Sequence, residues 1–164
     1  MLTHHRLPVC LSVISTDLPV WFTVQNDATL YHKGQNRFHL LLREPALQGW
    51  ENEPLTTEAP KPLQRGEHRL LWLEISPYRV NMTMQGNENL SYRHFWEQGV
   101  FGMSRYWLQG DHNKGHQSLQ LRNYTRFLKL EGRSFPERLE LDYELWSDKV
   151  QLGRYLLTLQ IYQS

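Results

Sequence analysis

Hydrophobic and polar residues alternate near the carboxyl end of the chain. Leu139, Leu141, Tyr143 and Leu145 interleave with Arg138, Glu140, Asp142 and Glu144. After Ser147-Asp148-Lys149, Tyr155, Leu157, Leu159 and Ile161 interleave with Leu156, Thr158, Gln160 and Tyr162. Successive side chains of a strand point to opposite faces, so a period of two gives each run one apolar face. Two such runs around a polar break predict an antiparallel hairpin.

Similar patterns run upstream. Residues 9–15 and 19–25 are short apolar runs split by Thr16-Asp17. Gln25-Asn26-Asp27 reads as a turn, with a further strand over 28–32. Residues 37–43 are too continuously apolar for clean alternation and predict a strand buried on both faces. Residues 68–75 and 78–85 flank Ser76-Pro77, 90–98 reads as a strand or a short helix, and 99–108 returns through Phe101 and Met103. Over 119–130 the apolar phase slips by one, which predicts a β-bulge near Asn123. The stretch 44–66 holds Pro45, Pro54, Pro60 and Pro62 and predicts an irregular surface loop, because proline removes ladder donors and fixes φ. About nine or ten short strands with turns every eight to twelve residues predict a single all-β domain over 1–164. An antiparallel β-sandwich is the expected architecture, with a β-barrel as the alternative.

A chain of 164 residues is long enough to bury a core without disulfides or metals. Its eighteen basic and seventeen acidic residues nearly cancel, so no global charge draws a polyanion and a nucleic-acid partner is not expected from charge. Cys10 is the only cysteine, which excludes an intrachain disulfide. The apolar stretch 7–14 is broken by Ser12 and lacks a small-residue cleavage site, so no leader is expected and the cytoplasm is the favoured compartment. No apolar run approaches the roughly twenty residues of a membrane-spanning helix.

The chain carries no nucleophile-elbow, phosphate-loop, dinucleotide or zinc-protease string, and a non-catalytic role is expected. Asp111, His112 and His116 form the best local metal candidate, with two imidazoles and a carboxylate. Gly115 and Lys114 within that segment favour a solvated turn, so neither metal nor cofactor is expected. A metal-dependent enzyme using His112, His116 and His94 is an alternative. His94, among aromatics, reads as a packed histidine, and Cys10, in an apolar run, as a small core residue. Glu140, Asp142 and Glu144 lie about 7 Å apart along one strand face. That spacing would suit a glycosidase pair, but alternation with apolar residues marks them as a solvent face. The Asn-x-Ser/Thr strings at Asn81, Asn89 and Asn123 read as strand and turn chemistry.

The aromatic residues carry the functional expectation. Tyr92-Arg93-His94-Phe95-Trp96 and Arg105-Tyr106-Trp107 set large rings beside cations, and Trp146 falls on the charged side of its strand. Arg93, Trp96, Arg105, Tyr106, Trp107 and Trp146 are the predicted binding residues. They would dock a protein or glycan with help from an exposed strand edge, for which the final hairpin is a candidate. A homo-oligomer is compatible with this scheme. Lys61, Arg65, Arg69, Arg122, Arg126 and Lys129 would form a basic stripe for single-stranded nucleic acid only if the fold gathers them.

The strings Tyr92-Arg93-x-x-Trp96-x-Gln98, Leu108-x-Gly110 and Arg126-Phe127-Leu128-Lys129-Leu130 span about forty residues. In them the chain resembles the CsiV family of periplasmic peptidoglycan-binding proteins. The resemblance implies peptidoglycan binding in the periplasm as a further alternative. The chain lacks the family's basic, His-Pro-containing C-terminal string.

Overall fold

Ten antiparallel strands account for the alternation. The computed structural model describes residues 4–18, 21–45, 68–86, 90–108, 117–132 and 134–163. The strands are β1 (His4–Ser15), β2 (Trp21–Gly34), β3 (Arg37–Pro45), β4 (His68–Ile75), β5 (Arg79–Gln85), β6 (Leu90–Glu97), β7 (Phe101–Leu108), β8 (Gln117–Glu131), β9 (Arg138–Ser147) and β10 (Val150–Ile161). Each pairs with its neighbours in sequence, and β1 also pairs with β10, from Val9 opposite Ile161 to Ser15 opposite Tyr155. The sheet therefore closes into an up-and-down barrel. The expected sandwich gives way to the barrel alternative, because β1 and β10 find each other rather than packing face to face.

Closure has a direct consequence for the edge-docking idea. The final hairpin β9–β10 is not an edge, since β10 is paired along both sides. Closed barrels remove the unpaired backbone groups that would accept a foreign strand.

Alternation sorts side chains into a lumen and an outer wall. Leu139, Leu141, Tyr143 and Leu145 of β9 and Leu157, Leu159 and Ile161 of β10 point inward, as their pattern predicts. They meet Val9, Leu11, Leu30, Leu40, Leu42, Leu71, Leu73, Met82 and Met84 in one continuous core. The expectation that β3 is buried on both faces does not hold. Phe38, Leu40 and Leu42 face the lumen, while His39 and Leu41 are half-buried outside.

Three further details differ from expectation, and one open choice, strand or helix over 90–98, resolves as strand. Asn26 and Asp27 do not turn the chain but continue β2 opposite Val9 and Pro8. The Asn26 amide donates to the Arg43 carbonyl at 2.7 Å, satisfying an acceptor that β3 leaves beyond its last pair with β2. Residues 90–97 are strand, not helix. Glu44 and Pro45 close β3 rather than opening the proline-rich loop, and 46–66 lies outside the described residues. The bulge of β8 falls between Thr125 and Phe127, two residues beyond the phase slip read from sequence. Asp148, in the tight β9–β10 turn, has φ of 51°, a left-handed conformation that aspartate tolerates.

Candidate functional site

Inside the barrel, β6, β7 and β8 depart from an aliphatic core. Their lumen-facing residues are Tyr92, His94 and Trp96, then Gly102, Ser104 and Tyr106, then Leu121, Asn123 and Thr125. Trp96 is completely buried and stacks on His94, ring centroids 4.9 Å apart and nearly parallel. Tyr143 packs against Trp96 at 5.0 Å, and Tyr155 stacks on Tyr143 at 5.5 Å. Near the rings of His94 and Trp96, β7 and β8 present the small side chains of Gly102, Ser104, Asn123 and Thr125 to the lumen. Gly102 is the limit: a Cβ there would collide with the Phe95 carbonyl and sit 2.9 Å from Asn123 Oδ1. Gly102→Ala is therefore expected to destabilise by about 3 kcal/mol, by overpacking against backbone that cannot yield. A denaturation midpoint equal to that of the parent chain would contradict this.

The polar groups of the lumen form a chain. Asn123 Nδ2 donates to Ser104 Oγ at 2.9 Å, and Ser104 Oγ lies 2.6 Å from His94 Nδ1. Ser104 has no other acceptor for its proton among the described residues, so its hydroxyl donates to Nδ1. This places the imidazole proton on Nε2, facing the Tyr106 hydroxyl at 3.4 Å. Burial pushes the His94 pKa down to about 3 and keeps the ring neutral. Burial, with Tyr155 nearby, pushes Tyr106 up to about 12, and burial likewise holds Tyr143 above its ordinary range. Trp96 Nε1, Asn123 Oδ1 and Thr125 Oγ1 are buried without a hydrogen-bond partner among the described residues. Ser104 and Asn123 have no exposed surface and His94 almost none, so these three residues form a brace sealed from solvent.

The brace positions what stands outside it. His94, Ser104 and Asn123 bond β6 to β7 and β7 to β8. Each is the sequence neighbour of an arginine: Arg93, Arg105 and Arg122. Alternation sends those three side chains to the outer wall at the pinned positions. Arg93 lies directly opposite Arg105, and Arg122 lies opposite Met103, one pleat further on. None of the three has a carboxylate within ion-pair distance among the described residues. Like charges directly opposed on adjacent strands are destabilising, so this wall departs from a merely solvated face.

Aromatic rings interleave with these cations. The Arg105 guanidinium lies over Trp107 at 5.7 Å, Arg122 over Phe101 at 4.2 Å, and Arg79 over Phe95 at 5.8 Å. Tyr124 packs on Phe101 at 5.0 Å, and Trp146 on β9 lies opposite Arg122. Phe101, Met103, Leu119 and Phe127 are exposed by 43–51%. The hydrophobic pattern of β7 is thus inverted. Phe101 and Met103 face water, and Gly102 and Ser104 face the lumen. A strand that breaks its pattern marks a functional or strained place.

The predicted binding residues divide between the two faces. Arg93, Arg105, Trp107 and Trp146 share the outer wall of β6–β9, whereas Trp96 and Tyr106 belong to the lumen. Of the proposed basic stripe, β8 gathers Arg122, Arg126 and Lys129, all exposed. Arg126 is tied to Glu144 at 3.2 Å and Lys129 to Glu131 at 2.9 Å. Arg69 is half-buried on β4, and Lys61 and Arg65 lie outside the described residues. The sequence pattern missed Arg79, Phe101 and Met103 as partners of this wall. The two apolar residues read there as core.

Other candidates resolve differently. His112, His116 and Asp111 lie outside the described residues. Among the described residues no group of three metal-ligating side chains is placed to hold an ion. Glu140, Asp142 and Glu144 are each engaged. Arg138 reaches Glu140 at 2.7 Å, Arg154 grips Asp142 through two bonds, and Glu144 accepts from Arg126 and Trp146. Cys10 is not a core residue but stands half-buried on the outer wall between Gln25 and Gln160. An open cleft of about 790 Å³ lies next to the wall, lined among others by Arg37, His39, Glu74, Arg79, Phe95 and Glu97. On the opposite wall Trp21, Ile14 and Leu156 form an exposed apolar row across β2, β1 and β10 that contains no arginine.

No known family model matches the chain, and no curated protein resembles it. The resemblance to the peptidoglycan-binding family thus gains no support. Among solved structures the chain is similar to the crystal structure of the ywiB protein from Bacillus subtilis, at 14% identity and a TM-score of 0.59. The match covers 96% of this chain and 94% of the other. At that identity the likeness concerns the fold alone and says nothing of activity.

Proposed function

We propose that this chain is a non-catalytic binding module whose outer wall over β6–β9 docks an anionic partner carrying flat or apolar groups. One observation carries the reading. Arg93 and Arg105 face each other across adjacent strands with no carboxylate to relieve them among the described residues. An anion arriving at this place would remove a repulsion that the isolated barrel sustains. The brace of His94, Ser104 and Asn123 holds the three strands before binding, so little side-chain and backbone order remains to be lost on docking.

A polyanion resin such as immobilised dextran sulfate tests the reading. The parent chain is expected to elute at clearly higher salt than the Arg93→Ala/Arg105→Ala double variant. A charge-matched control, Lys33→Ala/Lys149→Ala, removes two exposed lysines outside the wall, one near the end of β2 and one in the β9–β10 turn, and is expected to elute with the parent. Equal shifts for both variants would mean that net charge alone acts, and would remove the wall as a site.

A further inference from the structure

We infer that the wall's partner is a single-stranded nucleic acid, with phosphates on Arg93, Arg105 and Arg122 and bases stacked against the Arg105–Trp107 and Arg122–Phe101 pairs. The inference rests on the docking reading above and adds the partner's chemistry.

Three features select this ligand. The first is the stacking itself. Arg122 lies 4.2 Å from the Phe101 centroid and Arg105 lies 5.7 Å from that of Trp107. A guanidinium held over a ring keeps its edge donors for phosphate oxygens, and its outer face serves as a platform for a base. The second is the apolar surface between the cations. Met103, Phe101, Leu119 and Phe127 remain exposed. An acidic peptide would answer the charges and leave these side chains wet. A duplex keeps its bases in its own stack and would offer the wall only phosphates. A single strand supplies backbone charge and free base faces together.

The third is layout. Arg93, Arg105 and Arg122 occupy three consecutive strands, and neighbouring strands lie about 4.8 Å apart. The cations thus run across the strands on the convex outside of a barrel. A flexible strand follows such a surface more readily than a rigid duplex. The path is short, so the site fits about four nucleotides, the low end for a single binding domain. The overall balance of eighteen basic and seventeen acidic residues does not oppose this. Asp142, Glu140 and Glu144 are each held by an arginine, whereas none of the three wall arginines has a carboxylate partner among the described residues.

Fluorescence anisotropy of the full chain with labelled oligothymidylate provides the test, with a duplex of the same length and polyglutamate as competitors. Binding at low salt is expected, with log affinity falling against log salt at a slope of about −2, as three phosphate contacts on a single strand require. Arg105→Ala and Trp107→Leu are each expected to weaken binding about tenfold without lowering the unfolding midpoint. Polyglutamate or duplex competing as well as unlabelled single strand would overturn the nucleic-acid inference and leave the docking wall standing. No binding to oligothymidylate at low salt, together with retention on the polyanion resin, would do the same. Failure in both assays would remove both readings.

Discussion

Trp96→Ala is expected to destabilise the barrel by about 3–5 kcal/mol, the range for removing a fully buried aromatic from a packed core. The indole has no exposed surface and contacts His94 and Tyr143 directly. Those neighbours are themselves fixed by hydrogen bonds or further stacking, so the cavity cannot easily collapse. Trp96→Phe separates packing from polarity. It retains a ring between His94 and Tyr143 and removes an indole N–H that has no partner among the described residues. Its cost is expected to be about 1–2 kcal/mol, because the lost volume is partly offset by removing an unpaired buried donor. Chemical denaturation of the two variants checks both values. A loss below about 1 kcal/mol for Trp96→Ala would mean that the ring is not packed in the lumen.

The second large effect is a dependence of stability on pH. Burial lowers the His94 pKa from 6.5 to about 3 in the folded chain. Between those two values the unfolded chain binds a proton that the folded chain refuses. Stability is therefore complete above pH 6.5 and is lost as the pH falls toward 3, at up to about 1.4 kcal/mol per pH unit from this group. His39 is shifted the same way by burial and contributes in the same direction from a partly exposed place. His94→Gln isolates the term. The variant has a lower stability at neutral pH, having lost the stack on Trp96, but its unfolding free energy should fall less steeply between pH 6.5 and 5. Parallel slopes for the parent and the variant would show that His94 titrates normally and that the brace is open to water.

The two effects define the role of the lumen. Its hydrogen bonds join β6, β7 and β8 at His94, Ser104 and Asn123, beside the residues that carry charge outside. A neutral brace suits that task, since a protonated His94 would bring a buried charge behind three arginines that have no carboxylate partner among the described residues. Acid is therefore expected to weaken the wall together with the fold.

Much of this barrel is legible in the chain. The hairpin of β9 and β10 follows from strict alternation, and the inward face, from Leu139 to Leu145 and from Tyr155 to Ile161, is the one that the pattern names. Closure is not legible. The pairing of Val9 with Ile161 joins residues at opposite ends of the chain, and a period of two reports faces rather than partners. The candidate site was half visible for a related reason. Alternation separates Tyr106 from Trp107 and Arg93 from His94, but it does not say which side is inside. On β7 the usual guide fails, because Gly102 and Ser104 fill a lumen crowded by Trp96 and Tyr143 while Phe101 and Met103 face out. That inversion made the exposed residues look like core. The cross-strand opposition of Arg93 and Arg105 depends on a register that no local pattern reports.

Aromatics and arginines of β6, β7 and β8 divide between a sealed brace and an open wall. Indole N–H resonances of the tryptophans, followed by NMR during titration with oligothymidylate, test both halves at once. Trp107 is expected to shift, while Trp96 stays unmoved and is the slowest to exchange with solvent. A shift at Trp96 with Trp107 unchanged, or rapid exchange of Trp96 in the free protein, would contradict the account.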